Sequence, residues 1–160
     1  MKKILLLLAC LVLFSCEHND CGCVMPPTLD SKVQIILNDA SGKNLIDTEN
    51  FKIENLKIYY EKNGQKVPYI PQAYENYKGF EYRKVNEEMK LVILLDESVS
   101  FTTTTYIEWN STQTDKLVAY FYRIPNNTSV HRIWLNDVEV WDITKPKNVL
   151  LGMPTITIIK

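Results

Sequence analysis

The chain has 160 residues, with 18 Lys and Arg against 19 Asp and Glu and a formal net charge of -1. This length accommodates one domain, and the charge balance excludes binding to nucleic acid through a general excess of positive charge, since there is none to displace counterions. Hydrophobic residues make up 46% and charged residues 23%, a composition that excludes a wholly disordered protein.

The first sixteen residues, MKKILLLLACLVLFSC, predict a secretion signal. Two lysines precede an apolar run over residues 4–14, which is too short for a permanent membrane-spanning helix. The run ends in Leu-Phe-Ser-Cys, which resembles the lipobox of bacterial lipoproteins, with Phe14 in place of the usual small residue. The resemblance implies that residues 1–15 are cleaved as a lipoprotein signal peptide. It also implies that Cys16 is acylated, with palmitate among the expected chains, and anchors the protein to the membrane.

A second candidate box, Leu-Leu-Ala-Cys, ends at Cys10 and fits the local motif better. It leaves only the apolar residues 4–8 before the cut, whereas such a segment needs about 7 to 15 residues. Cys16 is therefore preferred, and an ordinary signal peptide with incidental cysteines is the other alternative. Cleavage before Cys16 removes two lysines and no acidic residue, so the mature chain carries a net charge of -3.

Residues 16–31 are predicted to form the lipidated cysteine and a flexible tether. The segment Glu-His-Asn-Asp after Cys16 resembles the export signal of surface lipoproteins of Bacteroidota-type bacteria, which implies display on the outer membrane; a plain soluble tether is the alternative. Three interpretations of Cys21 and Cys23 compete: a strained disulfide between them, pairing with another protein, or binding of a soft metal such as Cu(I) together with His18. An oxidised or idle pair is preferred, and no cofactor or metal is predicted.

Residues 32–160 contain short runs rich in β-branched and aromatic residues, separated by Asn, Asp, Gly, Pro and Ser. No segment carries a helical stripe over three turns. The predicted strands are Val33–Asn38, Phe51–Glu61, Lys66–Ile70, Gly79–Val85, Lys90–Leu95, Thr102–Trp109, Lys116–Ile124, Val130–Asn136, Val138–Asp142 and Pro154–Ile159. The sequence therefore predicts an all-β fold, an antiparallel β-sandwich over residues 32–160.

Two hairpins are predicted with a register. Asn63-Gly64 is a strong two-residue turn signal, and the resulting pairing places four apolar residues on one face: Ile58, Tyr60, Val67 and Tyr69. Asn136-Asp137 is a weaker turn signal, and its pairing places Ile133, Leu135, Val138 and Val140 on a core face. The more polar face of the second hairpin then holds Arg132, Trp134, Glu139 and Trp141.

The segment over residues 39–45, Asp-Ala-Ser-Gly-Lys-Asn-Leu, follows the first predicted strand. It resembles the turn after the first strand in transthyretin-like and carboxypeptidase-regulatory-like modules, where an apolar residue packs back onto the sheet. This resemblance implies a small β-sandwich used as an accessory or binding module, and it implies no catalytic residue. An immunoglobulin-like sandwich is equally allowed, although no cysteine beyond Cys23 is available for its inter-sheet disulfide.

Catalytic patterns are sparse in the predicted domain. His131 is its only histidine, expected as a structural residue at the edge of the core face, and no Gly-x-Ser-x-Gly motif is present. The carboxylate pairs Asp96-Glu97 and Glu87-Glu88 are interpreted as solvated strand ends. Three acidic residues after the first predicted strand are candidate Ca²⁺ ligands, but they do not match the spacing of an EF-hand: Asp39, Asp47 and Glu49.

Binding is the preferred interpretation. Trp134 and Trp141, flanked by Arg132 and Glu139, are predicted to form an exposed platform for a sugar ring or a protein, with Trp109 and Tyr106 as further candidates. The alternative is that the tryptophan side packs under a loop or against a second sheet. The sequence thus predicts a non-enzymatic envelope lipoprotein that binds protein or glycan and no nucleic acid. The alternative function is a small carboxylate-dependent envelope hydrolase.

Overall fold

The structure, a computed structural model, describes residues 28–71, 78–85, 88–98, 100–125, 127–145 and 153–160. The predicted signal peptide, Cys16, Cys21, Cys23 and most of the tether lie outside these residues. Among the described residues, we find no helix with the length and apolar character that crossing a membrane requires.

The described part of the chain is built almost entirely from strands. They are β1 (Thr28–Asp30), β2 (Lys32–Asn38), β3 (Lys57–Lys62), β4 (Gln65–Pro68), β5 (Phe80–Val85), β6 (Glu88–Leu94), β7 (Thr102–Glu108), β8 (Thr114–Ile124), β9 (Asn127–Leu135), β10 (Val138–Asp142) and β11 (Thr155–Ile159). Each of the ten predicted strands is found, and β1 is an addition. The long predicted strand that begins at Phe51 is shorter than expected, because Ile53–Asn55 form a 3-10 turn before β3.

The strands form two sheets that pack together as a sandwich, which confirms the predicted fold class. Sheet one has the order β1-β9-β8-β7-β3-β4, and β10 pairs with the second half of β9 on the same side as β1. Sheet two has the order β11-β2-β6-β5. Most neighbours are antiparallel, whereas β1 with β9 and β11 with β2 are parallel.

Alternating side chains supply the core between the sheets. In β2, Val33, Ile35 and Leu37 are fully buried while the intervening residues are partly exposed. This period of two is the pattern of a strand with one face on a core. The same alternation in β8 buries Leu117, Ala119 and Phe121, so the opposite residues of β8 must face outward from sheet one.

The first hairpin has the predicted register. Tyr60 pairs with Val67, and the amide of Tyr69 donates to the carbonyl of Ile58 over 2.9 Å. Asn63 and Gly64 both have positive φ, 52° and 76°, as the two central residues of a type I′ turn require.

The second hairpin has the predicted turn but not the predicted register. Beyond Glu139, β10 contains a β-bulge, so that Trp141 and not Val140 pairs with Ile133. A bulge sets two residues of one strand opposite one residue of its partner and reverses the facing of the residues that follow. Val140 therefore faces solvent, and Trp141 is only 3% exposed within the core. Val138 precedes the bulge and pairs with Leu135 as predicted, but it is 64% exposed and is not part of the core.

Candidate functional site

The predicted two-tryptophan platform is not formed. Trp134 lies half-buried on the outer face of sheet one, with Arg132 and Glu139 exposed beside it. Trp141 is on the other side of the sheet, in the core, because of the bulge in β10. Of the four predicted residues, the structure thus brings three together and separates Trp141 from them.

Neither of the two further aromatic candidates adjoins Trp134, because Trp109 follows β7 and Tyr106 lies on the outer face of β7, two strands from β9 in sheet one. Trp109 is buried, and its indole Nε1 donates to Asp115 Oδ2 over 2.7 Å. Tyr106 is half-buried and donates to Glu61 Oε2 over 2.6 Å. This hydrogen bond to a carboxylate is the main reason that the pKa of Tyr106 lies above its ordinary value, with a smaller contribution from burial. Both residues are therefore held in structural contacts.

A different set of residues, mostly aromatic, lies together on the outer face of β8 and β9. We call it the outer aromatic patch and define it by five residues: Tyr120, Tyr122, His131, Arg132 and Trp134. Tyr120 is 37% exposed and Tyr122 48% exposed. Tyr120 pairs directly with Arg132, while Trp134 pairs with Val118 and is therefore the diagonal neighbour of Tyr120. These side chains share one face of a continuous sheet.

A second bulge places His131 in this patch. Tyr120 pairs with Arg132 but Phe121 pairs with Val130, so His131 is the extra residue of β9. Its ring stacks on Tyr122 with a centroid distance of 4.9 Å and an interplanar angle of 26°. The prediction that His131 lies at the edge of the core face is wrong, because the bulge turns it toward the outer tyrosine.

Ion pairs hold the charged side chains around the patch. Arg132 Nε lies 3.3 Å from Asp142 Oδ2, and Lys145 Nζ lies 2.7 Å from Glu139 Oε1. The hydrogen bond that Asp142 accepts from the Thr144 amide is the main reason that the pKa of Asp142 lies below its ordinary value. The hydrogen bond to the Glu139 carboxylate raises the pKa of Lys145. A guanidinium has several N–H donors, so Arg132 keeps donors for a ligand while Asp142 fixes its position.

A cleft of about 530 Å³ lies between the β3–β4 hairpin and the connection that follows β6. Its lining includes Tyr60, Tyr69 and the neighbouring carboxylates Asp96 and Glu97. Asp96 is 4% exposed, and both of its oxygens lie 2.7 Å from Lys62 Nζ. The interpretation of Asp96 as a solvated strand end is therefore wrong, because Lys62 on the neighbouring sheet provides the counter-charge that allows burial.

Glu97, in contrast, is exposed, and one of its oxygens accepts a hydrogen bond from Ser31. In the second predicted carboxylate pair, Glu88 is exposed and Glu87 lies outside the described residues. Across the ranges that the structure describes, no three His, Cys, Asp or Glu side chains are grouped so that they would hold a metal ion.

Tyr120 and Tyr122 are not among the residues predicted for the site, although the sequence contains a signal for them. The sequence of β8 alternates Leu, Ala and Phe with Val, Tyr and Tyr, and the polar hydroxyls of the two tyrosines favour the outer face for the second set. Only the pairing of β8 with β9 brings the tyrosines beside Trp134.

The chain was also compared with protein-family models, curated proteins and solved structures, and no match was found.

Proposed function

We propose that this chain is a lipid-anchored protein of the bacterial outer membrane that binds a neutral glycan through the outer aromatic patch and catalyses no reaction. The observation that carries the proposal is the exposure of Tyr120 and Tyr122 on the sheet face that also holds Trp134. Aromatic rings offer a large apolar surface at little cost in conformational entropy, and this surface matches the C–H face of a pyranose.

Polar groups at the rim support a glycan ligand. Arg132 supplies N–H donors to sugar hydroxyls, and the exposed carboxylate of Glu139 supplies acceptors. Asp142 and Lys145 hold these two side chains in place, so little ordering entropy is lost on binding. The net charge of -3 after cleavage favours a neutral polymer over an anionic one.

Affinity electrophoresis of the purified protein through gels containing soluble neutral polysaccharides tests the binding function. We expect a polysaccharide that retards the wild type to retard Tyr120→Ala and Trp134→Ala much less. The expected loss of affinity is roughly tenfold for each ring. Tyr82→Ala is the matched control, because Tyr82 is a tyrosine on sheet two that is more exposed than Tyr120. If no polysaccharide binds, or if all three variants are retarded like the wild type, the glycan function is wrong.

The membrane anchor has a separate test. Incorporation of labelled palmitate and sedimentation with membranes are both expected to be lost in Cys16→Ser and retained in Cys10→Ser. Unchanged acylation of Cys16→Ser would overturn the anchor without affecting the glycan site.

The alternative function, a carboxylate-dependent hydrolase, would place its chemistry in the cleft at Asp96 and Glu97. Glycoside hydrolysis by two carboxyl groups needs them to face each other about 5 to 9.5 Å apart across the substrate. Asp96 and Glu97 are neighbours in the chain, and Lys62 already contacts both oxygens of Asp96. Binding is therefore the better-supported function. Release of reducing ends from a bound polysaccharide, abolished in Glu97→Gln, would favour the hydrolase instead.

A further inference from the structure

β11 forms an edge of sheet two, and its sequence Thr-Ile-Thr-Ile-Ile contains neither a charge nor a proline. The other long edges carry the features that normally block edge-to-edge pairing. On sheet one, β4 contains Lys66 and Pro68, and β10 contains Glu139 and Asp142. On sheet two, β5 carries Glu81, Arg83 and Lys84. Among the described strands, β11 is thus an edge without such protection.

The free side of β11 presents a regular set of hydrogen-bonding groups. The amide of Gln34 donates to the carbonyl of Pro154 over 2.8 Å, and the amide of Lys160 donates to the carbonyl of Asn38 over 2.9 Å. Backbone groups of alternate residues point to opposite sides of a strand, so residues 154, 156, 158 and 160 face β2. The N–H and C=O groups of Thr155, Thr157 and Ile159 then face away from it, where none of the described strands pairs with them.

The lysine that follows β11 is also withdrawn from this edge. A charged side chain at the end of an edge strand commonly discourages pairing with another chain. The Nζ atom of Lys160 instead lies 2.8 Å from Asp115 Oδ2, across the sandwich in sheet one. Its charge is therefore neutralised inside the fold.

We propose that β11 pairs with β11 of a second copy of this chain in an antiparallel, two-fold symmetric arrangement. With the axis at Thr157, each Thr157 faces the same residue of the second copy, and Thr155 faces Ile159. This register uses all the outward backbone groups and sets β-branched residues opposite each other, which are favourable cross-strand pairs. Because β11 has no charged side chain, two copies oppose no like charges across the axis, and the second copy itself supplies the uncharged, β-branched strand that this register requires.

Disulfide trapping in membranes of cells that express the full chain tests this register. In a background with Cys21→Ser and Cys23→Ser, Thr157→Cys is expected to form a covalent dimer, because facing Cα atoms about 5.5 Å apart satisfy disulfide geometry. Thr155→Cys is the matched control. The two copies of residue 155 are offset by four residues, about 13 Å along the strands, so the control is expected to stay monomeric.

Sedimentation of the purified protein in detergent provides a second readout. A five-residue pairing buries less than a standard interface, so the dimer is expected to dissociate on dilution. Thr157→Lys sets two charges against each other and is expected to give a monomer, whereas Thr114→Lys, an exposed position on β8, keeps the dimer. Equal trapping of both cysteine variants, a wild type that is monomeric at every concentration, or a Thr157→Cys adduct only with another protein would overturn the proposal.

Discussion

The Nζ atom of Lys160 lies 2.8 Å from Oδ2 of Asp115 and joins the end of β11 in sheet two to the start of β8 in sheet one. Asp115 is almost completely buried, and it also accepts hydrogen bonds from Trp109 Nε1 over 2.7 Å and from Asn136 Nδ2 over 2.8 Å. Four elements therefore meet on one carboxylate. A buried charge is tolerated only when it is paired and hydrogen-bonded, as it is here.

Replacing the lysine is expected to be costly. Lys160→Met leaves the buried Asp115 carboxylate without its counter-charge, and we expect the free energy of unfolding to fall by about 3 kcal/mol. Urea denaturation measures this loss. The matched control is Lys57→Met, because Lys57 pairs with Glu108 on the exposed face, where such a pair is worth about 1 kcal/mol or less. Equal losses in the two variants would contradict the structural role of the Lys160–Asp115 pair.

The same carboxylate makes the stability depend on pH. Burial by itself raises the pKa of Asp115, but the hydrogen bonds from Lys160, Asn136 and Trp109 outweigh it, so the pKa lies below the ordinary value of 3.8. A carboxyl with a lowered folded pKa contributes stability above its unfolded pKa and loses that contribution as the pH falls through the folded pKa.

We therefore expect the stability of the wild type to fall below about pH 4, and the fall to be shallower in Asp115→Asn. Denaturant midpoints measured between pH 6 and pH 2, on both proteins at constant ionic strength, give the comparison. Parallel curves would mean that Asp115 titrates with the same pKa in the folded and unfolded chains.

Local patterns were sufficient to predict the strands and the first hairpin. The alternation in β2 and the turn at Asn63-Gly64 depend only on neighbouring residues, and both are as predicted. The two bulges were not predictable in this way. Whether Val140 or Trp141 faces the core depends on which of them fits between the sheets, and that choice involves residues distant in sequence.

The candidate site shows the same limit. Trp134, Arg132 and Glu139 were placed on the correct face because the turn at Asn136-Asp137 sets the first pairs of the hairpin. The register was lost at the bulge, so Trp141 was assigned to the wrong side. The buried Asp96 was also missed, because its partner Lys62 is 34 residues away in the chain and nothing local identifies that pair.

Gly79 is expected to be sensitive to substitution for two reasons. Its φ is +81°, and a Cβ atom there would lie 3.0 Å from Ile58 Cβ and 3.0 Å from Tyr69 Cγ. Gly79→Ala should therefore lose about 1–2 kcal/mol to the backbone conformation and a further 1 kcal/mol or so to overpacking. Gly42→Ala is the control for the backbone cost alone, since φ is +87° but no atom lies within 4 Å of the added methyl. Equal thermal stabilities of the two variants would contradict the close packing of Gly79.

Trp109 and Trp141 provide a matched pair for the value of one buried hydrogen bond. Both are 3% exposed, but Trp109 Nε1 donates to Asp115, whereas Trp141 Nε1 has no hydrogen-bond partner among the described residues. Replacing each by Phe removes a similar volume, so the cavity costs should be similar. Trp109→Phe also leaves a buried carboxylate with one donor fewer. We expect it to lose about 1.5–3 kcal/mol more than Trp141→Phe. Chemical denaturation of the two variants measures the difference. The loss caused by Trp109→Phe should be smaller in an Asp115→Asn background, because no buried charge is then left with one donor fewer. A larger loss in Trp141→Phe would mean that the Trp141 indole N–H has a partner, and that the bulge in β10 serves to place that hydrogen bond.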